Sequence, residues 1–347
     1  RCTVQAMADA LETSGANPGR AGHRLSLAAG RIIEICRQHI AEMLGEADAS
    51  RVAFAQNTTD ALNMAIHGAV HTGDHVVSTL MEHNSVLRPL SELARSGIIT
   101  LTLVPPDADG RIHAQEIERA LTARTRLVAM THMSNVLGLE QDVASTGAVC
   151  RRRGVLFLVD AAQTAGHVPL KPGKWGCTML AMPGHKGLYG PQGTGLLLCR
   201  ESGTPLLAGG TGSLSRQAEM PPFLPDRLEA GTHNVPGAAG LLAGLRFLRK
   251  RGLESIRRQE AALIRQAAEG LSRLPEVQVY AAQGAGVQTG VLSFRLPQKD
   301  PGWVAEALSR RGIAVRAGLH CAPLAHATGG TEQTGTVRVS VSAFNTS

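Results

Sequence analysis

Polar and ionisable residues follow the ends of several short apolar stretches in this sequence. An imidazole, a carboxamide, a carboxylate, a second carboxamide and an amine come at or shortly after such ends, at His83, Asn135, Asp160, Gln163 and Lys186. The stretches have the length and composition of buried strands. In an open parallel sheet, ligands bind in the crevice beyond the carboxyl ends of the strands. We therefore expect these five groups to converge on one site.

This set of groups is the one that pyridoxal 5'-phosphate requires. The aldehyde needs a lysine amine, and Lys186 lies in MPGHKGLYGPQGTG, where glycines let the backbone approach a planar ligand. The pyridinium nitrogen needs a buried carboxylate so that the ring works as an electron sink, and Asp160 ends the apolar run VLFLV. Gln163 can donate to the phenolic oxygen, and His83 can stack on the ring and move protons.

A helix start that suits a phosphate precedes these groups. Asn57, Thr58, Thr59 and Asp60 stand directly before a helical pattern, and backbone N–H groups with neighbouring hydroxyls at such a start bind phosphate. Taken singly, Asp160, Thr58 and Thr59 are also ordinary helix caps, and His83 is also an ordinary surface histidine. The cofactor interpretation is favoured because these groups stand together at the ends of several different strands.

The elements that must position these groups alternate along the first 200 residues. Strand patterns lie at 51–55, 75–80, 99–104, 127–132, 155–159, 178–182 and 195–199, with helical patterns between several of them, as at 59–70, 114–121 and 144–152. This alternation predicts an α/β domain with a mostly parallel sheet that is covered on both faces.

The pattern changes after an irregular connection, rich in Gly and Pro, at 209–236. Helical patterns at 238–251, 253–274 and 303–311 alternate with strand patterns at 277–280, 290–295, 313–317 and 336–342. We expect a large domain over 1–236, whose first 25 residues can pack with the second domain, and a smaller α+β domain over 237–347.

The composition narrows the function classes. The net charge is +7, but the basic residues are scattered and aromatic residues make up only 3%, so no nucleic-acid partner is expected. No apolar run is long enough to cross a bilayer, and the first residues lack the apolar core of a secretory signal, so we expect a cytoplasmic protein without membrane contact. Six cysteines occur without a CxxC pair, which predicts neither a disulfide scaffold nor a metal site.

Nine stretches carry a resemblance to a known family: NPGRAGHRLS, FAQNTTDALN, MEHNSVLRP, THMSNVLG, VDAAQTAGHVPL, MPGHKGLYGPQGTG, LEAGTHNVPG, RAGLHCAPLAH and VRVSVSAFNT. In this order they resemble the class V aminotransferase superfamily, specifically its cysteine desulfurase and selenocysteine lyase branch. The resemblance implies the type I fold of pyridoxal-phosphate-dependent transferases, with a mostly parallel seven-stranded sheet and a smaller C-terminal domain.

The resemblance also implies roles for the matching residues. Lys186 would carry the cofactor as a Schiff base, with Asp160, Gln163 and His83 around the ring, while Thr59 and His185 would hold the phosphate. Thr232 would reach the phosphate of a neighbouring subunit, which implies a homodimer. The substrate carboxylate would lie near Asn135 and be clamped by the planar guanidinium of Arg338.

Cys321, in RAGLHCAPLAH, would be the nucleophile that takes sulfur from L-cysteine as a persulfide while alanine leaves. Its thiolate needs a lowered pKa, and we expect the adjacent His320 to assist. A protein that accepts the sulfur would be a further partner. The same stretches are compatible with L-selenocysteine as the substrate, with a class V aminotransferase or lyase that does not use Cys321, and with a truncated, inactive protein that only binds the cofactor. Relatives in the resembled branch begin with an LDNAAT-type segment and continue past FNT into a closing helix. Neither part occurs in this sequence. We therefore expect either a fragment or a site that lacks these parts.

Overall fold

The computed structural model describes residues 1–19, 22–201, 203–281, 288 and 290–346. Arg20 and Ala21, within the stretch NPGRAGHRLS, lie outside the described residues. Ser347, the last residue of the predicted second domain, also lies outside them.

A seven-stranded sheet forms the centre of the larger part. Its strands are β1 (Val52–Ala55), β2 (Asp74–Thr79), β3 (Ile99–Val104), β4 (Thr125–Thr131), β5 (Leu156–Asp160), β6 (Met179–Pro183) and β7 (Gly195–Cys199), in the order β1-β7-β6-β5-β4-β2-β3. Strands β2 to β6 pair in parallel, whereas β7 is antiparallel to both neighbours. The connection from β6 to β7 contains no crossover helix, so β7 returns beside β6 in the opposite direction. The prediction of a mostly parallel seven-stranded sheet is confirmed.

Helices cover both faces of this sheet. They are α1 (Cys2–Ser14), α2 (Arg24–Leu44), α3 (Thr58–Ala69), α4 (Asn84–Arg95), α5 (Ala114–Ala120), α6 (Val143–Arg153), α7 (Pro172–Trp175) and α8 (Val235–Arg251), with a single 3-10 turn at Ala49–Arg51. Alternate residues of β4 enter different cores: Val128 and Met130 pack on one face, Leu127 and Ala129 on the other. A strand buried on both faces must be apolar throughout, which explains the continuous apolar runs in the sequence.

The smaller part is a four-stranded antiparallel sheet with helices beside it. Its elements are α9 (Leu253–Ser272), β8 (Gln278–Tyr280), β9 (Val291–Arg295), α10 (Pro301–Ser309), β10 (Arg316–Gly318), α11 (Pro323–Thr328) and β11 (Thr336–Ser340), with the strand order β10-β11-β9-β8. The α+β architecture predicted for this region is therefore present. Helix α8 begins at Val235, inside the predicted irregular connection, because Asn234 caps it by accepting from Gly237 N–H at 2.9 Å.

Helix α1 packs on α8, so the start of the chain contacts the element that leads into the second part. Among the described residues, none of the helices combines the length and the apolar composition that crossing a lipid bilayer requires.

A buried ion pair joins three distant segments. The guanidinium of Arg37, on α2, donates to both carboxylate oxygens of Glu229 at 2.8 and 2.9 Å, and both side chains are almost fully buried. Glu229 also accepts from Phe54 N–H in β1 at 2.6 Å. Glu229 lies three residues before Thr232, so this pair fixes the segment that carries Thr232 to the core.

We expect Arg37→Ala to lower the free energy of unfolding by about 3–5 kcal/mol, because it removes the guanidinium that pairs with both oxygens of the buried Glu229 carboxylate and leaves only His233 Nε2, at 3.2 Å, to pair with it among the described residues. Urea unfolding at pH 7 would measure the change. Arg310→Ala is the matched control, since Arg310 pairs with Glu306 on the exposed face of α10 and its loss should have no measurable effect. Equal stability of Arg37→Ala and wild type would contradict the prediction.

Candidate active site

A cavity of about 780 Å³ opens at the carboxyl ends of the parallel strands. The structure brings eight of the eleven sequence-predicted site residues to its walls: Thr58, Thr59, His83, Asn135, Asp160, Gln163, His185 and Lys186. Arg338 lies next to this set, where it donates to the backbone carbonyl of Asn135. Cys321 lies in an adjoining groove, and Thr232 is exposed on the segment before α8.

One end of the cavity is the N-terminus of α3. The side chain of Asn57 accepts from Asp60 N–H at 3.0 Å, while Thr58 and Thr59 occupy the first two helical positions, whose N–H groups have no partner within a helix. A Cβ on Gly195 would lie 2.4 Å from the backbone of Asn57. Glycine at the start of β7 therefore lets this helix start settle against the sheet, and the exposed N–H groups form a site for an anion.

Lys186 projects into the cavity from a tight turn after β6. A Cβ on the next residue, Gly187, would lie 2.3 Å from the carbonyl oxygen of Ala165, so the turn can approach the loop after β5 only with glycine there. The Lys186 side chain has surface open to the cavity but protein atoms crowd around it. This desolvation lowers the pKa of the Lys186 amine, against the opposing effect of the Asp160 charge.

Asp160 ends β5 and is 3% exposed. Its Oδ1 accepts from Ala162 N–H at 2.8 Å. Burial raises the pKa of the Asp160 carboxyl, while that hydrogen bond and the charge of Lys186 oppose the rise. A buried carboxylate with a single backbone donor is suited to a cationic N–H partner inside the cavity.

His83 caps α4 and is held in one tautomer. Ser85 N–H donates to Nδ1 of His83 at 3.1 Å, so Nδ1 is unprotonated and the neutral ring carries its proton on Nε2. The Ser85 hydroxyl lies 2.8 Å from the same nitrogen and 2.7 Å from the Thr59 hydroxyl. Burial, followed by the charges of Lys186 and nearby arginines, lowers the pKa of His83 to about 4. The imidazole is therefore neutral at physiological pH.

Asn135 joins the cavity to the smaller part of the protein. Its side-chain N–H donates to the carbonyl of His320 at 2.6 Å, and its own carbonyl accepts from Arg338 at 3.1 Å. Arg338 is paired directly opposite Arg316 in the β10–β11 register. The Nε of Arg338 is buried and has no hydrogen-bond partner among the described residues. Two opposed guanidinium groups, one with an unused donor, form a site for a carboxylate.

Cys321 is exposed and lies beside Arg316, whose Nη2 is 3.4 Å from Sγ. The expectation that His320 assists this thiol is wrong. The His320 ring is buried and contacts the Thr336 hydroxyl at 3.0 Å, and burial, followed by the charge of Arg338, lowers its pKa to about 3. A neutral ring that faces the small sheet supplies no charge to the thiol, so Arg316 is the cation beside Cys321.

Comparison with known proteins settles the family. The whole chain, residues 1–347, matches the family Aminotransferase class-V. The chain belongs to this family. A Pyrococcus abyssi protein named "Probable cysteine desulfurase" is 35% identical over 331 residues, which cover 92% of this chain and 81% of that protein.

Solved structures agree with this class-V aminotransferase fold. The apo structure of a cysteine desulfurase from Thermococcus onnurineus NA1 matches with a TM-score of 0.91 and 35% identity, covering 99% of this chain and 87% of that one. The Escherichia coli cysteine desulfurase CsdA, in its S-sulfonic acid form, matches with a TM-score of 0.88 and 27% identity, covering 99% of this chain and 87% of that one.

Sequence reasoning missed several residues of this class-V aminotransferase site. Ser85, Thr131 and Met133 line the cavity, and Arg316 holds the thiol. Ser85 stands two residues after His83, at the start of a helix, which is the spacing that would identify it as a partner of the ring. The pairing of Arg316 with Arg338 depends on strand register, which has no local signal in the sequence.

Glu82 is a second buried carboxyl group near Asp160. It is fully buried, its Oε1 accepts from the Thr79 hydroxyl at 2.6 Å and from Thr131 N–H at 3.0 Å, and its Oε2 has no partner among the described residues. Burial raises the pKa of Glu82 to about 8, and the Asp160 charge adds to the rise. Glu82 is therefore a neutral acid at pH 7 that ties the ends of β2 and β4 beside His83.

The raised pKa of Glu82 predicts a pH-dependent stability. The folded state keeps a proton that the unfolded state releases near the ordinary pKa of 4.5, so this contribution is complete below pH 4.5 and disappears as the pH rises to about 8. Glu82→Gln replaces the protonated carboxyl group with a neutral amide, so it should remove this part of the pH dependence of the free energy of unfolding. The part removed is about 1.4 kcal/mol for each unit by which the pKa differs between the folded and unfolded states. Urea unfolding of the cofactor-free protein between pH 5 and 9 would measure this.

Glu276→Gln, at an exposed position, is the control and should leave the pH dependence unchanged. If Glu82→Gln and wild type lose stability in parallel over this pH range, Glu82 does not hold a proton in the folded state.

Proposed function

We propose that this class-V aminotransferase is a cysteine desulfurase that uses pyridoxal 5'-phosphate and forms a persulfide on Cys321. The observation that carries the proposal is an exposed thiol beside Arg316, next to a cavity that contains Lys186 and Asp160. The names of the relatives and of the matched structures support the same activity.

The donors around the cavity fit pyridoxal 5'-phosphate. Lys186 would hold the cofactor covalently, and the buried Asp160 carboxylate would accept from its ring nitrogen. The start of α3, with Thr58 and Thr59, would hold the phosphate together with His185, and Gln163 would bond the phenolic oxygen. When bound, the cofactor supplies an electron sink that weakens the bonds at the substrate Cα.

The substrate carboxylate would lie between the smaller sheet and the loop after β4. Arg338 offers a buried Nε with no partner among the described residues, and Arg316 faces it in the strand register. Like charges directly opposite each other across two strands are unfavourable. A bound carboxylate relieves this repulsion, and Asn135 fixes the position of Arg338 through its carbonyl oxygen.

Lys186 and His83 are the groups that would move protons. Desolvation lowers the pKa of the Lys186 amine, so the neutral amine that removes a proton from the substrate Cα is more accessible than for a solvated lysine. His83 is neutral and carries its proton on Nε2, and it lines the cavity. It can therefore donate that proton without a prior change of tautomer.

Sulfur transfer would then occur at Cys321. The thiolate attacks the substrate sulfur, an S–S bond forms, and the Cβ–S bond breaks with its electron pair left on the carbon skeleton, which is protonated to alanine. The balance is L-cysteine plus protein thiol giving L-alanine plus protein persulfide, with no external oxidant. Arg316, whose Nη2 lies 3.4 Å from Sγ, holds the sulfur in place for this attack.

A homodimer is part of the proposal. Thr232 is exposed rather than in the cavity of its own chain, and the Arg37–Glu229 pair holds the adjacent segment rigid. This placement supports a role for Thr232 at the phosphate of a partner subunit. We also propose two domains that meet near residue 236, with α1 packed on α8 across that boundary.

Lys186→Ala should abolish the visible absorbance band of the protein after incubation with pyridoxal 5'-phosphate and dialysis, because no other described amine lines the cavity. Absorbance spectroscopy of the dialysed protein measures this. Lys174→Ala, at an exposed lysine, is the control and should keep the band. A retained band in Lys186→Ala would show that another residue binds the aldehyde.

Cys321→Ala should keep the absorbance band but lower sulfide release from L-cysteine by more than about 100-fold, as expected for loss of a nucleophile. Sulfide and alanine would both be quantified, with a thiol reductant present. Cys2→Ala removes the other exposed cysteine of the described residues and should behave as wild type. Full sulfide release by Cys321→Ala would exclude the persulfide step.

A further inference from the structure

A second groove leads from Cys321 to the surface along α4. Its volume is about 940 Å³, and its walls include Leu87, Arg88, Glu92, Arg95, Pro323 and Leu324. The groove and the cavity share His83, Ser85 and Thr59, and Cys321 lines the groove but not the cavity, so a molecule in the groove could reach the thiol without occupying the cofactor site. Its volume is that of a pocket for a small molecule.

The thiol is held in place at the inner end of this groove. The carbonyl oxygen of Cys321 accepts from Asn84 N–H at 2.7 Å, and Arg316 contacts its sulfur. Cys321 also has a φ of 60°, in the left-handed region that non-glycine residues rarely adopt. These contacts fix the loop that carries the sulfur, and the groove offers an acceptor a route to it.

The groove carries uncompensated positive charge. Arg88 follows Asn84 by four residues, so both lie on one face of α4. Asn84 is the residue whose N–H donates a hydrogen bond to the carbonyl oxygen of Cys321. Arg88 is exposed and forms no ion pair within the part of the chain that the structure describes. The one carboxylate on the described groove wall, Glu92, is already paired with Arg95 at 2.6 Å. Arg88 therefore remains available to an anion in the groove.

We propose that the groove admits a small thiol that carries a carboxylate, and that Arg88 binds this carboxylate while the thiol takes the sulfur from Cys321. The inference rests on the proposed persulfide. The thiolate of the acceptor attacks the outer sulfur of the persulfide, a new S–S bond forms, and the existing S–S bond breaks. Cys321 leaves as a thiolate beside Arg316, and the sulfur moves without net oxidation or reduction.

A charge series of small thiols tests this proposal on the holoenzyme. The protein is first loaded with L-cysteine, and the persulfide on Cys321 is quantified by mass spectrometry. It is then discharged with 3-mercaptopropionate, 2-mercaptoethanol or cysteamine, which carry a negative, a neutral and a positive group. Each rate is divided by the thiolate concentration, because the three thiols differ in pKa.

We expect 3-mercaptopropionate to discharge wild type about five- to tenfold faster per thiolate than 2-mercaptoethanol, as for one charge pair about 4 Å apart in a dielectric close to that of water. Arg88→Gln should remove this preference, and Arg88→Glu should shift it toward cysteamine. Added salt should reduce the wild-type preference. Arg265→Gln, at another exposed helical arginine outside the groove, is the control and should keep it.

Equal rates per thiolate for all three thiols in wild type would overturn the inference. It would also be overturned if Arg88→Gln slowed loading by L-cysteine as much as discharge, because Arg88 would then serve the substrate site. Absence of any persulfide on Cys321 after loading is a different result, since it would reject the proposed function itself.

Discussion

A buried negative charge at the end of β5 is the constraint on which the site depends. Asp160 is 3% exposed, and a carboxylate in such a place is costly unless a cation or several donors face it. The protein supplies one backbone N–H at 2.8 Å and the nearby amine of Lys186. Because β6 runs parallel to β5, the turn after β6, which carries Lys186, must lie at the same edge of the sheet as the end of β5. Neighbouring strands thus bring acid and amine together beside the open volume of the cavity.

The loop after β4 connects this site to the smaller part of the protein through hydrogen bonds. Asn135 donates to the carbonyl of His320 at 2.6 Å, and Ser293 donates to the carbonyl of Val136 at 2.6 Å. A Cβ on Gly138 would lie 2.3 Å from the carbonyl oxygen of Val291, so glycine there permits the close approach. Since Arg338 also bonds to Asn135, the residues that would bind the substrate are the ones that join the two sheets. The position of Cys321 is therefore coupled to the end of β4.

The strands and their polar ends could be predicted because each parallel strand is buried on both faces and its carboxyl end is the place for ligands. Asp160 and Lys186 belong to this class, and the structure places both in the cavity. Contacts that depend on strand register or on the sign of the backbone angle φ could not be predicted. His320 precedes Cys321, but both residues have positive φ, and the imidazole ends up buried against Thr336 while the thiol is exposed. Glu82 could not be predicted as part of the site, since nothing in the local sequence indicates that its carboxyl group is buried between the ends of β2 and β4.

Arg316 and Arg338 are two cations close to the thiol, and their positive charge acts on several titratable groups of the site. Arg316 and Arg338 oppose each other across β10 and β11. Burial is the main cause that lowers the pKa of Arg338, and the charge of Arg316 lowers it further. The charges of both arginines also add to the lowering of the His83 pKa that burial causes. A fold would gain stability by separating two such cations. Retaining them fits a site that handles anions in succession: the carboxylate of an amino acid, then a thiolate. Burial, with the charges of Lys186 and these arginines added to it, keeps His83 neutral, so its Nε2 proton remains available where the sulfur leaves the carbon skeleton.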